Sequence, residues 1–376
     1  MEQEIIRAGK NYRGLEAWIR KNCPGKLLLV CGRSIRFQTE LNAFFESLGG
    51  KVIRFSEFQP NPRYESVTAG VSLFRKENCC AVIGVGGGSA MDVAKCIKLF
   101  AEMEGDGADG GFLKQTIVPN RIPFLAVPTT AGTGSEATRY AVIYYNGEKQ
   151  SVTQESGIPG AVLMDPACLR ALPLYQKKAT MLDALCHAVE SFWSVNSTEE
   201  SKQFSRSAVR GVLEHMDGYL ANTDEGNSGM LLAANLAGKA INITQTTAGH
   251  AMCYKITTLF GTSHGHAAAL CCRELFPHMT AHTELCIDPR GAAYLKDTLD
   301  ELGRLLGGTD AESGALRFAA IFDGMELEVP STSDEQFAVL KRSVNPVRLK
   351  NHPVRLDEET IDSLYRRILK PLNPLL

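Results

Sequence analysis

Four residues in the second half of this chain have the types and spacing to hold one divalent cation: Asp183, His187, His250 and His264. The run Asp183-Ala184-Leu185-Cys186-His187 sets a carboxylate and an imidazole at i and i+4, which on a helix share one face and can grip one ion. Met181, Leu182, Leu185, Val189 and Phe192 around the pair are apolar, so its helix is expected to be buried. A buried Asp–His pair has two explanations, an internal hydrogen bond or a metal. His250, in Thr247-Ala248-Gly249-His250-Ala251-Met252, and His264, in Gly261-Thr262-Ser263-His264-Gly265-His266, sit beside glycines and small residues, where backbones can approach a shared centre. Three imidazoles and one carboxylate suit iron(II) or zinc(II). His215, His278, His282 and His352 lie in ordinary polar contexts, where surface or capping roles are the expectation.

A second constellation could take a phosphate. Gly84-Val85-Gly86-Gly87-Gly88-Ser89-Ala90-Met91-Asp92-Val93-Ala94-Lys95 follows a strand-like run and opens a helix-like one. Three successive glycines let the backbone approach a phosphate, and the helix start offers free N–H donors. Gly86, Gly87, Gly88, Ser89 and Asp92 are therefore cofactor-binding candidates, against the alternative of a tight turn. Thr129, Thr130, Thr133 and Ser135 form a further polar loop after the next strand, where an open α/β sheet binds its ligands. One hydroxyl alone would read as a helix cap; so many together would not. The first strand of the sheet ends in Gly32-Arg33-Ser34, with no acid for a ribose 2′-hydroxyl, which favours NADP over NAD. Lys149 completes the cofactor-binding set.

The elements that must position these residues fall into two halves. Buried strands are expected at 26–30, 51–55, 80–85 and 124–128, alternating with helical patterns at 36–48 and 64–77. A hairpin turning at Asn146-Gly147 is expected over 140–152, and a closing strand over 160–166. From about 172 the pattern turns to long helices, at 176–195, 200–220, 226–247, 264–280, 289–306 and 358–369, with a turn-prone run at 330–333. This predicts an α/β dinucleotide-binding domain with a parallel sheet over 1–171 and an all-α metal and substrate domain over 172–376.

A chain of 376 residues with 44% apolar and 22% charged residues is an ordinary globular composition, and a net charge of −2 argues against nucleic acid or an anionic membrane as partner. No stretch of about 18 apolar residues is present, and Met1-Glu2-Gln3-Glu4 is no secretory signal. The eleven cysteines include no CxxC, so they are expected as buried apolar side chains in a reducing compartment, consistent with a cytoplasmic protein.

The glycine loop, the threonine-rich loop, Asp183-x-x-x-His187 and the His250-to-His264 spacing together resemble the iron-containing (group III) alcohol dehydrogenase family. The likeness runs to the 345–349 motif and Asn351-His352-Pro353. It implies an N-terminal nucleotide domain, a C-terminal helical domain, and a cleft between them holding Fe2+ or Zn2+, NADP or NAD, and a small aldehyde or alcohol. It also implies a homodimer or larger homo-oligomer. Many members carry another histidine four residues after the third ligand; here Tyr254 stands there, followed by Lys255. Tyr254, His266 and Lys255 are the catalytic candidates on this reading, with Arg139 a further cation. The runs 249–257 and 190–197 resemble the branch containing phosphonoacetaldehyde reductases, for which the extra cations would have a use. The alternatives are an alcohol dehydrogenase without phosphonate specificity, a nucleotide-binding regulator with a vestigial site, and a metal-dependent lyase resembling dehydroquinate synthase. The usual first ligand of that lyase is glutamate, where Asp183 stands here.

Overall fold

The computed structural model describes residues 3–344 and 349–372, so residues 345–348 of the 345–349 motif lie outside the described residues. The chain divides into two compact units, Met1–Leu172 with Asn222–Leu231, and Pro173–Ala221 with Leu232–Leu376.

The first unit is built on a six-stranded sheet of β1 (Glu4–Arg7), β2 (Lys26–Cys31), β3 (Val52–Phe55), β4 (Cys79–Gly86), β5 (Phe124–Pro128) and β8 (Ala161–Met164), in the order β1-β8-β5-β4-β2-β3. All its neighbours pair in parallel. Alternate residues serve opposite faces: Leu28, Val30 and Val82 join one core cluster, Leu27, Leu29, Ala81 and Ile83 the other. Helices α3 (Tyr64–Lys76) and α4 (Gly88–Phe100) cover the first face, α1 (Arg13–Asn22) and α2 (Thr39–Ser47) the second. Burial on both faces is why the strands read as unbroken apolar runs. The hairpin of β6 (Tyr140–Tyr145) and β7 (Glu148–Thr153) turns at Asn146-Gly147, both with positive φ.

Two details depart from the sequence expectation. The helix expected over 36–48 is a 3-10 turn, Arg33–Phe37, followed by α2. Gln38 interrupts it, buried and donating its side-chain amide to the Cys168 carbonyl at 3.0 Å. The edge strand β1 was not foreseen, because Ile6 alone among its residues is buried and so short a strand has no readable period.

The second unit is helical. Its elements include α5 (Leu174–Trp193), α6 (Glu199–Leu220), α8 (Ala248–Phe260), α9 (His264–Ala281), α10 (Ala292–Leu305), α11 (Ala311–Gly324), α12 (Asp334–Arg342) and α13 (Glu358–Ile368). The helix expected over 226–247 is α7 (Asp224–Thr244), which stops where Gln245 takes φ +60°; α8 then starts a new axis after Thr247. The run at 330–333 contains a short strand, Ser331–Thr332, parallel to Lys370–Pro371. His352, expected at the surface, is fully buried edge-on to Trp193, and burial pushes its imidazole down to about 3. The adjoining Asn351 draws it inward, since its carbonyl accepts from Val195 N–H at 3.0 Å and its amide donates to the Thr246 carbonyl at 3.2 Å.

Candidate active site

The nucleotide-type loops all stand at the carboxyl ends of strands. Gly32-Arg33-Ser34 follow β2, the glycine loop closes β4 and opens α4, and Thr129 to Ser135 follow β5. Because β2 and β4 are neighbours whose chains leave in opposite directions across the sheet, their carboxyl ends form the switch point at which open α/β sheets bind ligands. Gly86 has φ +152°, and a Cβ there would lie 2.5 Å from that of Ala90. Cβ atoms on Gly87 and Gly88 would press on Thr130 at 3.2 Å and Thr133 at 3.3 Å, so the two loops touch. Thr129 N–H donates to the Gly86 carbonyl at 3.0 Å, which fixes their relative position.

Not all the candidates of this set face outward. Ser135 is buried and donates to Asp92 Oδ1 at 3.3 Å, while accepting from Lys95 Nζ at 3.0 Å. Lys95 also donates to Thr138 Oγ1 at 3.1 Å and the Tyr140 carbonyl at 2.7 Å. Burial pushes the Asp92 carboxyl up to about 6 and the Lys95 ammonium down to about 8. Asp92 and Ser135 thus tie α4 to the threonine loop, through Lys95, whose role the sequence did not suggest. Ser89, Thr130 and Thr133 are partly exposed, Arg33 and Ser34 are exposed, and Lys149 is exposed on β7 with its charge reaching Asp92.

In the second unit three helices converge. Asp183 and His187 come from α5, His250 from the first turn of α8, and His264 from the start of α9. Ligand atoms of Asp183, His187 and His250 all lie within 4.8 Å of one another. His250 Nε2 is 3.5 Å and His187 Nε2 is 4.0 Å from Asp183 Oδ1, with the two rings stacked at 4.5 Å. The His264 ring lies 5.1 Å from that of His250, one step outside this cluster. Glycines permit the approach: a Cβ on Gly265 would be 2.1 Å from the Ala179 carbonyl oxygen and 2.5 Å from Asp183 Cβ, and one on Gly249 would be 2.5 Å from Cys272 Sγ.

Glu190, one turn beyond His187 on the same face of α5, is a residue the sequence reading passed over. It is fully buried, accepting from Thr247 N–H at 3.0 Å, Thr247 Oγ1 at 2.6 Å and His250 N–H at 3.3 Å. Its other oxygen bonds His250 Nδ1, which turns Nε2 toward Asp183. A carboxylate at i+7 from Asp183 on a buried helix was the available signal. Burial pushes the Glu190 carboxyl up, but His250, Thr247 and His187 together outweigh it and bring it to about 2; burial lowers His250, and Glu190 with Asp183 outweighs that to bring it to about 9. Asp183 is likewise held well below the usual carboxylate range, burial being outweighed by His187 and the other imidazoles.

Asp183 Oδ1 and His250 Nε2 are buried and have no hydrogen-bond partner among the described residues. Leaving such atoms unpaired costs on the order of 1–3 kcal/mol each. At 3.5 Å the two atoms are a charge pair without a hydrogen bond, and His187 at 4.0 Å is also too far from Asp183 for one; a cation between the atoms would satisfy both, and a carboxylate with imidazoles is a donor set for iron(II) or zinc(II).

Of the catalytic candidates, only Tyr254 reaches this centre, its ring stacked on His264 at 5.3 Å. Cys253 Sγ lies 3.6 Å from Nδ1 of the same imidazole. His266 packs elsewhere, its Nδ1 bonded to the Tyr175 hydroxyl at 3.2 Å and its ring against Phe322. Lys255 is half-buried on another stripe of α8, about 140° round the helix from His250. Arg139 is ion-paired with Glu155 on its own unit. Thr257, seven residues from His250 and so on its stripe, carries a buried hydroxyl without a described partner, which sequence alone did not flag.

The family model for iron-containing alcohol dehydrogenase matches residues 3–166, and that for the C-terminal part of the same family matches 177–369. The chain belongs to the iron-containing alcohol dehydrogenase family and is an oxidoreductase of that type. It is 31% identical over 315 residues to a phosphonoacetaldehyde reductase of Streptomyces viridochromogenes, covering 80% of this chain and 79% of that one. It is 30% identical over 277 residues to the 1,3-propanediol dehydrogenase of Klebsiella pneumoniae, covering 73% and 70%. Among solved structures, the sulfoacetaldehyde reductase of Bifidobacterium kashiwanohense in complex with NAD+ superposes with a TM-score of 0.86 at 25% identity, over 97% of this chain and 96% of that one. These matches favour the dehydrogenase reading over the lyase and regulator alternatives.

Proposed function

We propose that this chain reduces a small aldehyde bearing an acidic terminal group, phosphonoacetaldehyde to 2-hydroxyethylphosphonate being the leading case. In this reading Fe2+ or Zn2+ is held by Asp183, His187, His250 and His264, and NADPH is modestly preferred to NADH. The observation that carries the metal is the buried charge pair of Asp183 Oδ1 and His250 Nε2, 3.5 Å apart and neither atom with a hydrogen bond. When bound, the metal polarises a carbonyl oxygen and the reduced nicotinamide supplies hydride to the carbonyl carbon.

The chain's own groups do the rest. Glu190 holds His250 with Nε2 turned to the cluster, and the helices exclude water around Asp183. The Tyr254 hydroxyl, carried on the ring that covers His264, gives up the proton that completes the alcohol. The glycine and threonine loops bind the cofactor phosphates, and the exposed Arg33 and Ser34 at the end of β2 suit a 2′-phosphate. The substrate class rests on two relatives named for two-carbon aldehydes with phosphonate or sulfonate ends. Lys255 gives it little support, being on the wrong stripe of α8. A homo-oligomer is part of the proposal on family resemblance. So is a cytoplasmic location: all eleven cysteines are free, and no helix among the described residues is long and apolar enough to cross a membrane.

The test is an NADPH and NADH oxidation assay with Fe2+ or Zn2+ added, across phosphonoacetaldehyde, sulfoacetaldehyde and propanal. Metal-dependent oxidation with the acidic aldehydes leading is the expected outcome. A strong preference for propanal removes the acidic substrate, and turnover independent of metal removes the scheme.

A further inference from the structure

Two thiols meet at the amino-terminal end of the sheet, opposite the strand ends that carry the nucleotide-type loops. Cys23 caps the end of α1, its N–H donating to the Ile19 carbonyl at 2.8 Å, and Cys80 is the second residue of β4. Their Sγ atoms are 3.2 Å apart. Backbone groups hold the pair in place: Gly25 N–H donates to Cys80 Sγ at 3.4 Å, the Cys80 thiol to the Lys26 carbonyl at 3.4 Å, and the Cys23 thiol to the Gly25 carbonyl at 3.4 Å. The β2–β4 ladder shifts register at Lys26/Leu27, beside Cys80. Alternation along β4 sends Cys79 to the opposite core, so Cys80 alone of the adjacent cysteines faces Cys23.

Accessibility singles out this pair. Nine of the eleven cysteines are buried, and Cys80 and Cys286 are partly exposed. Of those two, Cys80 has another thiol in contact. We propose that Cys23 and Cys80 are a modification site, which a low-molecular-weight disulfide converts into an intrachain disulfide clamping the end of α1 to β4.

The exchange balances in two steps. The Cys80 thiolate attacks one sulfur of the external disulfide, whose S–S bond breaks; the released thiolate takes up a proton, leaving a mixed disulfide on Cys80. Cys23 then loses its proton and attacks Cys80 Sγ, and the second small thiol leaves with that proton. Two protein thiols are oxidised and one external disulfide is reduced to two thiols. Cys23 acts second because burial, and after it the neighbouring Cys80 sulfur, push its thiol up to about 12, while Cys80 is the one an oxidant can reach. The bridge would close a loop of 57 residues through β2, α2, β3 and α3, which stabilises the first unit by restricting its unfolded chain. Since the bridge lies at the far end of β2 and β4 from the glycine loop, turnover should be unchanged by it.

The test treats the full-length protein with oxidised glutathione, followed by intact mass, peptide mapping and thermal unfolding. The expected result is the loss of two hydrogens, a linked Cys23–Cys80 peptide, and a Tm raised by roughly 5–10 °C and restored by dithiothreitol. Cys23→Ser should stop at the glutathione adduct on Cys80, Cys80→Ser should give neither adduct nor linkage there, and Cys286→Ser should behave as the parent. A parent protein that keeps both hydrogens, or stays as an adduct on Cys80 without closing, overturns the proposal. So does a Cys80→Ser protein that still loses two hydrogens. The linked peptide in the parent decides the matter even if a variant fails to fold.

Discussion

The two candidate binding regions are made in opposite ways. In the first unit, backbone does the work: N–H groups and glycines at strand ends, contributed by segments whose order in sequence matches their order along the sheet edge. In the second unit, side chains do it, brought from three helices separated by up to 81 residues, as between Asp183 and His264. The polar atoms of the first region are largely satisfied within the protein, as Lys95, Asp92 and Ser135 show. The centre of the second leaves Asp183 Oδ1 and His250 Nε2 without a hydrogen bond. A ligand that lies on a backbone cradle needs no unsatisfied side chain; a cation inside a protein needs several.

This contrast breaks most sharply at His250. His250→Ala should bring bound metal and turnover below detection while leaving NADPH binding by fluorescence intact; retained metal would show that the cluster does not hold it. Tyr254→Phe should lower kcat about 100-fold with metal content unchanged, the loss expected for a missing proton donor. An unaltered kcat would hand the proton to water or cofactor.

Glu190→Gln should weaken metal binding about 10–100-fold, measured by competition with a chelator, because His250 loses its orienting carboxylate. In the parent protein the same pair predicts a pH dependence. His250 is raised to about 9, so below that pH a metal must displace its proton. Affinity should therefore rise about tenfold per pH unit up to about 9 and then level, and a flat profile from pH 6 to 9 would contradict the assignment.

The smallest effect is expected in the first region. Arg33→Ala should raise KM for NADPH by about 10-fold and leave that for NADH alone, as for the loss of one exposed charge-assisted phosphate contact. Equal effects on both cofactors would remove the basis for an NADP preference. Metal content should not change, which keeps the two regions separable.

Much of the first region was legible because its signals are local. A buried strand, a glycine run and a helix start lie within a dozen residues, and the alternation of Leu27 to Val30 between two cores follows from the period of a strand. Asp183 and His187 were legible for the same reason, since a helix puts i and i+4 on one face. The outward or inward direction of a loop hydroxyl was not: Thr133 and Ser135 look alike in sequence, yet Ser135 is buried against Asp92 and Lys95.

By itself, the sequence determined the element types, the parallel sheet, the loops at its strand ends and the residue types able to hold a metal, all of which depend on spacings within one or two turns or strands. Tertiary structure alone decided that Glu190 orients His250, that His266 turns to Tyr175 and not to the cluster, and that Tyr254 covers His264. It also decided that Asp183 and His250 face each other at 3.5 Å without a hydrogen bond. These depend on where α8 and α9 cross α5, set by close approaches at Gly249 and Gly265 that no local pattern encodes. The metal-type site first read from four residue names is thus a property of three helix axes meeting at two glycines.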